Sequence, residues 1–210
     1  GTINADSLKE ELEKLDVTKL VYPDDMSYVA KFERDFALLS EEEQAQIPKD
    51  LQEKITYAKE VMRADREPQK LEITESPVKT IYGVGQKFSP TGLKLLATYA
   101  DGSTRTITNT DDYTYEPQSE LTLNDKSVTF TYNTAKVTLD ITVRTSDKLN
   151  LKGNGTENDP YKLSSASDMT ELSEYVAAGG KTEGMFFVMT NDITLPEKWT
   201  PIGVTNDGSV

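Results

Sequence analysis

The chain has 210 residues, of which 36% are hydrophobic and 28% charged, and its formal net charge at pH 7 is −13. That length allows one large domain or two to three small ones. The negative charge opposes non-specific binding to nucleic acid or to anionic membranes. The chain contains no cysteine and no histidine, which excludes disulfides, zinc–thiolate sites and catalytic relays through histidine.

The composition changes twice along the chain and predicts three parts. Residues 1–67 are rich in Glu, Lys, Leu and Ala, residues 70–145 in Thr, Tyr, Val and Ile, and residues 147–210 in Gly, Asn, Ser and Thr. Pro68 marks the first joint, because the residue before proline disfavours the helix. No apolar run reaches the roughly 18 residues that span a bilayer, so we expect no membrane insertion. We predict a multidomain fold that combines α and all-β parts.

The first part carries the caps and periodicity of amphipathic helices. Ser7 with Glu10 has the spacing of a capping box, and Ser40 with Glu43 repeats it. Pro23-Asp24-Asp25 is typical of a helix start. Two further segments place apolar residues on one helix face: Val29, Phe32, Phe36 and Leu39, then Leu51, Ile55, Ala58 and Met62. Short loops between such helices predict a three-helix bundle within 1–67.

A family resemblance adds to this prediction. The stretch from Val29 to Gln44, VAKFERDFALLSEEEQ, with Leu15-Asp16 before it and Leu51 after it, resembles the FIVAR-type three-helix modules of Gram-positive surface proteins. Phe36 stands where that family often has Tyr. The resemblance implies a repeated surface module, and a generic bundle that acts only as a spacer is the alternative.

The second part alternates apolar and polar residues in short runs. The predicted strands are Leu71–Thr74, Lys79–Tyr82, Leu93–Tyr99, Thr104–Thr108, Tyr113–Tyr115, Ser127–Tyr132 and Lys136–Val143. Asp101-Gly102 is a strong hairpin signal. Seven or so short strands with regular turns predict an Ig-like β-sandwich over 70–145.

Two motifs in this part resemble a bacterial Ig-like domain. They are YGVGQKFSPTGL, from Tyr82 to Leu93, and ATYADGS, from Ala97 to Ser103. Gly83, Gly85 and Gly92 permit turns that a side chain would hinder, and Phe88 is expected to plug the end of the sandwich. Gln86 replaces a frequent acidic residue of the family, which weakens the case for a polar contact there.

The third part begins with GNGTENDPY at Gly153 and ends its pattern at Gly203. We predict a strand at Lys162–Ser164, a helix over Asp168–Ala178, and strands at Phe186–Met189 and Thr190–Leu195. The pattern resembles the start of a GLUG- or pectin-lyase-like β-helix region, which implies an N-terminal cap and first rung over 147–210. Because a β-helix buries its core by stacking rungs, we expect the chain to be a piece of a longer protein.

The resemblance to a β-helix region also predicts how the end of the chain is arranged. The helix would cover the upstream end, and truncation would leave the downstream face bare. That bare face would consist of Phe186–Met189, Ile193–Leu195 and Trp199, and we call it the sticky face because exposed apolar surface favours association. Trp199 is expected to be a core residue of the first rung. We expect Val204–Val210 to be loosely held.

No residue stands out as catalytic, metal-binding or cofactor-binding, and we expect no enzyme activity and no cofactor. Asp111-Asp112 and Glu157 with Asp159 are calcium candidates, but Asp and Asn in turns are the simpler explanation. Several aromatics could stack on sugars, although strand alternation makes most of them core residues: Tyr99, Tyr113, Tyr115, Tyr132, Tyr161 and Trp199.

The resemblances imply a non-catalytic stalk or adhesion segment of a secreted or wall-attached bacterial protein. The partner would be an extracellular glycan or a host protein, and the chain is expected to be a monomer. The alternatives are an accessory region of a polysaccharide-degrading enzyme whose active site lies beyond Val210, and a mechanical spacer without a ligand.

Overall fold

A computed structural model of the chain describes residues 3–203. These residues form two compact units. The first contains the described residues up to 69 together with Thr98–Arg105, and the second contains Lys70–Ala97 and the described residues from Thr106 onward. Within the described residues, no helix is long and apolar enough to cross a membrane. The expectation for Val204–Val210 lies outside this range, and the predicted domain limits stay predictions.

Four helices build the first unit: α1 (Ala5–Lys14), α2 (Met26–Ala37), α3 (Glu41–Gln46) and α4 (Lys49–Val61), with a 3-10 turn at Val17–Lys19. The predicted apolar stripes are confirmed, since all their residues are buried except the half-buried Phe36. The main core joins α1, α2 and α4. A FIVAR-type bundle stays a prediction.

One predicted helix cap is correct and one is wrong. Ser40 caps α3, because its hydroxyl accepts a hydrogen bond from the Glu43 amide at 3.2 Å. Helix α1 begins earlier than predicted: Asn4 is its cap, and the Asn4 Oδ1 accepts from the Ser7 amide at 2.8 Å. Ser7 therefore occupies the third helical position, and its hydroxyl accepts from the Asn4 amide. The capping box exists, but it uses Ser7 as the second partner.

Eight strands occupy 70–144, in three sheets. They are β1 (Lys70–Glu75), β2 (Ile81–Gly83), β3 (Lys94–Thr98), β4 (Thr104–Ile107), β5 (Thr114–Glu116), β6 (Ser127–Tyr132), β7 (Ala135–Asp140) and β8 (Thr142–Arg144). The orders are β1-β3-β4, β5-β6-β7 and the parallel pair β2-β8. The predicted strand Lys136–Val143 is interrupted at Ile141, because the chain changes its partner strand there. The Ile141 amide still donates to the Lys126 carbonyl beside β6 at 3.0 Å, whereas the Thr142 amide donates to the Thr80 carbonyl beside β2 at 2.9 Å.

Aromatic rings fill the centre of these sheets. Phe88 packs against Tyr82, Tyr115 and Phe130, with ring centroids 5.7, 5.4 and 5.8 Å away. Phe88 is only 5% exposed, so it packs in the interior of this region, and the expectation that it plugs the end of a sandwich stays a prediction. Gly85 and Gly92 have φ of 89° and 87°, the left-handed conformation that glycine adopts without strain.

Tyr82→Phe is expected to lower the free energy of unfolding by about 1–2 kcal/mol. The hydroxyl of the fully buried Tyr82 donates to the Lys79 carbonyl at 3.2 Å and accepts from the Ser89 amide at 3.0 Å. Burial raises the pKa of this phenol to about 12. Urea unfolding measures the change. Tyr28→Phe is the control, because Tyr28 is 47% exposed, and equal unfolding midpoints for the two variants would contradict the expectation.

The C-terminal segment contains β9 (Tyr161–Leu163), α5 (Ala166–Ala177) and β10 (Phe187–Met189). Strands β9 and β10 pair in parallel, with Val188 opposite Lys162. Leu149, Leu163, Leu172 and Tyr175 form the buried core of this segment. The predicted strand over Thr190–Leu195 is wrong. The Asn191 side chain bonds to the Ser164 carbonyl at 3.0 Å, so a side chain replaces the backbone pairing that would extend the sheet. A β-helix region stays a prediction.

Candidate functional site

The end of α5 lies directly on strand β2 within the second unit. A Cβ atom added at Gly83 would lie 1.9 Å from the Ala178 carbonyl oxygen and 2.8 Å from its carbonyl carbon. Gly83 is a strand residue without positive φ, and it begins a turn in which its carbonyl accepts from the Gln86 amide at 3.1 Å. Glycine is needed here because two backbones approach each other closely.

An ion pair fixes the middle of the same helix. Arg144 Nη1 lies 2.5 Å from Glu171 Oε1, and each side chain is only 16% exposed. The second carboxylate oxygen of Glu171 accepts from the Asn150 amide at 3.1 Å. Two nitrogens of one guanidinium engage this carboxylate, a geometry that restricts orientation as well as distance. Helix α5 is therefore held on the β-region at two points.

Gln86 also contributes to this region, contrary to the expectation for its position. Its Oε1 accepts from the Gly83 amide at 2.9 Å and from Lys79 Nζ at 3.0 Å. Lys79 is 7% exposed, and burial lowers the pKa of its ammonium group. A neutral amide oxygen thus serves as the polar partner of both donors.

A cleft of about 200 Å³ lies beside α5 in the second unit. The residues that line it come from β2, from α5 and from the segment after β10: Ile81, Thr170, Ser173, Glu174, Pro196, Lys198, Trp199 and Thr200. The buried Ser173 hydroxyl donates to the Thr200 carbonyl at 2.6 Å, which attaches the tryptophan segment to the helix. We call this cavity the Trp199 cleft.

Trp199 is half-buried, so the expectation that it belongs to the core is wrong. Its segment is joined to α5 by the Ser173–Thr200 hydrogen bond, and the nearby Ile202 packs against the core of the C-terminal segment. Glu174 and Lys198 supply one charge of each sign to the same cleft. Glu174 also lies 3.9 Å from the Arg144 guanidinium.

The other predicted sugar-stacking aromatics are core or packing residues. Tyr99, Tyr113 and Tyr132 are buried. Tyr115 packs against Phe88 and Phe130, and Tyr161 packs against Phe187. Strand alternation predicted this outcome for most of the set, and Trp199 differs because it follows a segment without regular structure.

The first unit contains a second cleft, of about 410 Å³, which the sequence did not indicate. Its polar wall includes Tyr57, Arg66, Asp101 and Arg105. The Arg66 guanidinium lies 4.0 Å from the centre of the Tyr99 ring and 3.2 Å from the Asp101 carboxylate. The pair Tyr57 and Arg66 is separated from the pair Asp101 and Arg105 by more than 30 positions in the sequence, so no local spacing could have identified the group.

Asp101→Asn is expected to make the stability of the first unit less sensitive to acid. Hydrogen bonds from the Ser103 and Tyr57 hydroxyls, the former the stronger influence, hold the pKa of Asp101 well below its usual range. In the unfolded chain an aspartate has a pKa of about 3.9. The stabilisation from the folded carboxylate is therefore complete above about pH 5 and is lost progressively as the pH falls.

Hydrogen exchange of the α4 amides during thermal unfolding at pH 7, 5 and 3 measures this effect on the stability of the first unit. The variant should show a smaller loss of stability between pH 5 and 3 than the original chain. Asp112→Asn, at an exposed position, should leave the pH dependence unchanged. An equal acid sensitivity of the original chain and Asp101→Asn would contradict the expectation.

The calcium candidates take part in turns. Asn109 Oδ1 accepts from the Asp111 amide at 2.9 Å, and the Asp159 carboxylate accepts from Asn154 Nδ2 at 2.7 Å. Asp112 and Glu157 are exposed. Among residues 3–203, no group of three or more acidic, histidine or cysteine residues is placed to hold a metal ion.

The predicted sticky face is partly apolar and exposed. Phe186 is 46% exposed, Val188 39%, Met189 59% and Leu195 40%. Phe187 instead packs against the core of the C-terminal segment together with Ile193, because strand alternation directs it to the opposite side from its neighbours.

The comparisons with known proteins identify one part of the chain. The family model "Bacterial Ig-like domain (group 3)" matches residues 76–143. This match confirms the bacterial Ig-like resemblance within the predicted 70–145 region, and domains of this family are typical of bacterial surface proteins. A search of the curated proteins found no match to the chain.

Proposed function

We propose that this chain is a non-catalytic stalk and adhesion segment of a bacterial protein at the cell surface or in the cell wall. The observation that carries the proposal is the close contact of α5 with Gly83 of strand β2, a strand that lies inside the matched bacterial Ig-like region. The C-terminal segment and the Ig-like strands lie in the same compact unit. A binding surface on the C-terminal segment is then presented by a firm support and not by a flexible linker.

The charge of the chain supports an extracellular polymer as the partner. The net charge of −13 repels nucleic acids and anionic surfaces. A glycan or a host protein without strong negative charge is the class of partner that remains. The FIVAR-type module at the N-terminus and the start of a β-helix region at the C-terminus belong to the same proposal.

Adhesion under flow tests this function. Beads that carry residues 1–210 through the N-terminus are passed over surfaces coated with cellulose, mannan, chitin, polygalacturonate, collagen or albumin. We expect retention on at least one of the glycans or on collagen, and none on albumin. Beads that pass every surface as quickly as beads without the chain would overturn the adhesion proposal and leave a mechanical spacer.

The absence of catalysis is tested with the same polymers in solution. We expect no release of reducing ends and no unsaturated products after prolonged incubation of the chain with each polysaccharide. Cleavage by residues 1–210 themselves would overturn the non-catalytic assignment. Binding without cleavage is also the result expected of an accessory region of a polysaccharide-degrading enzyme.

A further inference from the structure

We infer that the Trp199 cleft is a subsite for one pyranose ring of a neutral glycan, an inference that rests on the proposed adhesion function. The volume of about 200 Å³ is smaller than the roughly 300–1,000 Å³ of sites for drug-sized ligands. It fits one ring of a longer polymer that continues along the surface, not a ligand enclosed on all sides.

The chemistry of the lining fits a sugar. The half-buried Trp199 lines the cleft, and indole combines a large apolar surface with a polar N–H. The C–H face of a pyranose can pack on that surface. Glu174, Lys198 and Thr170 surround the same space with an acceptor, a donor and a hydroxyl, the groups that sugar hydroxyls require.

The positions of these groups are fixed by three separate elements. Ile81 belongs to β2, and Thr170 and Glu174 belong to α5. Helix α5 is held on β2 at Gly83 and by the Arg144–Glu171 pair, and Ser173 holds Thr200 next to Trp199. A site built on supported elements keeps its geometry better than one on a free loop.

The charges favour a neutral sugar over an acidic one. The cleft contains one carboxylate and one ammonium group, which gives no net positive field for a uronic acid. The whole chain adds a charge of −13, which repels polyanions at long range. The inference therefore excludes pectin-like or other acidic polymers as the preferred ligand.

Trp199 is the only tryptophan of the chain, so its fluorescence reports on this cleft alone. The intact chain is titrated with cellotetraose, mannotetraose, chitotetraose and tetragalacturonate, and calorimetry measures the affinities. We expect a saturable change in emission with at least one of the three neutral sugars. No response to any neutral sugar, or tighter binding of tetragalacturonate, would overturn the inference.

Two variants examine the site itself. Trp199→Ala is expected to weaken binding by about tenfold or more, as for other tryptophan anchors at interfaces. Glu174→Gln keeps the side-chain shape and is expected to weaken binding by about fivefold, because a charged acceptor is replaced by a neutral one. Tyr28→Ala, which removes an exposed aromatic from the first unit, should bind as the original chain does.

The bead assay separates the two proposals. If the original beads are retained and Trp199→Ala beads are retained equally, adhesion stands and the Trp199 cleft is not its site. If no beads are retained, the proposed adhesion function fails. Sugar binding in the fluorescence titration would then show that the Trp199 cleft binds a sugar but has no role in adhesion. Equal affinity of Trp199→Ala and Glu174→Gln to that of the original chain overturns the subsite inference.

Discussion

Replacing Arg105 by lysine is expected to destabilise the first unit by about 2–3 kcal/mol, although the charge is kept. Arg105 is 7% exposed. Its Nη2 donates to the Val61 carbonyl at 2.8 Å and to the Arg63 carbonyl at 3.2 Å, at the end of α4. A helix end leaves such carbonyls without internal partners, and the planar guanidinium satisfies two of them together.

The same guanidinium is also stacked on aromatic rings. It lies 4.0 Å from the centre of the Tyr22 ring and 5.3 Å from that of Tyr99. A lysine ammonium is a compact charge on a flexible stem and cannot both stack and reach two carbonyls. One of these interactions must therefore be lost, and a desolvated carbonyl left without a donor adds to the loss.

Hydrogen exchange of the α4 amides as a function of urea measures this effect. Arg34→Lys is the matched control, because the Arg34 side chain is 65% exposed and its only described carboxylate partner lies at 3.9 Å. We expect that control to change stability by less than about 0.5 kcal/mol. Equal protection of α4 in the two variants would show that the hydrogen bonds and the ring stacking of the Arg105 guanidinium contribute little to the stability of the first unit.

The sequence predicted the features that depend on local spacing. The stripe of Leu51, Ile55, Ala58 and Met62 is buried because residues three and four apart share one face of a helix. The bacterial Ig-like motif was recognisable for a similar reason. Gly85 and Gly92 mark turns, and Phe88 lies between them in the core, so a short segment carries most of the information.

Contacts between distant segments could not be predicted in this way. Gly83 resembles a turn glycine until the Ala178 carbonyl is placed against it. Arg105 resembles an ordinary strand residue until α4 ends beside it. Nothing in the spacing of residues separated by 40 or more positions indicates that their backbones meet, because such contacts are set by tertiary packing.

Trp199 and Gln86 illustrate a different source of error. The usual environment of each residue type predicts a core position for the tryptophan and only a weak substitute for a carboxylate in the glutamine. Trp199 is only half-buried, and its segment is attached to α5 through the neighbouring Thr200. Gln86 accepts two hydrogen bonds because a buried lysine and a strand amide both lie within 3.0 Å of its oxygen.

Gly83→Ala is expected to destabilise the second unit by about 2–3 kcal/mol and to loosen α5, within the range for overpacked sites. The added Cβ would lie 1.9 Å from the Ala178 oxygen and 3.2 Å from its Cα. These are backbone atoms, so no side-chain rotation can relieve the clash. Helix α5 must shift, and the Arg144–Glu171 pair near its middle must then move with it or break.

Hydrogen exchange of α5 and the melting temperature measure this change, and Val84→Ala is the control at the neighbouring position. Val84 is 51% exposed, and its loss should change stability by less than about 0.5 kcal/mol. Because Thr170 and Glu174 of α5 line the Trp199 cleft, Gly83→Ala should also shift the tryptophan emission without any change at Trp199. A stable Gly83→Ala variant with unchanged α5 protection would mean that the helix does not rest on β2, and the proposed support for the binding surface would fail with it.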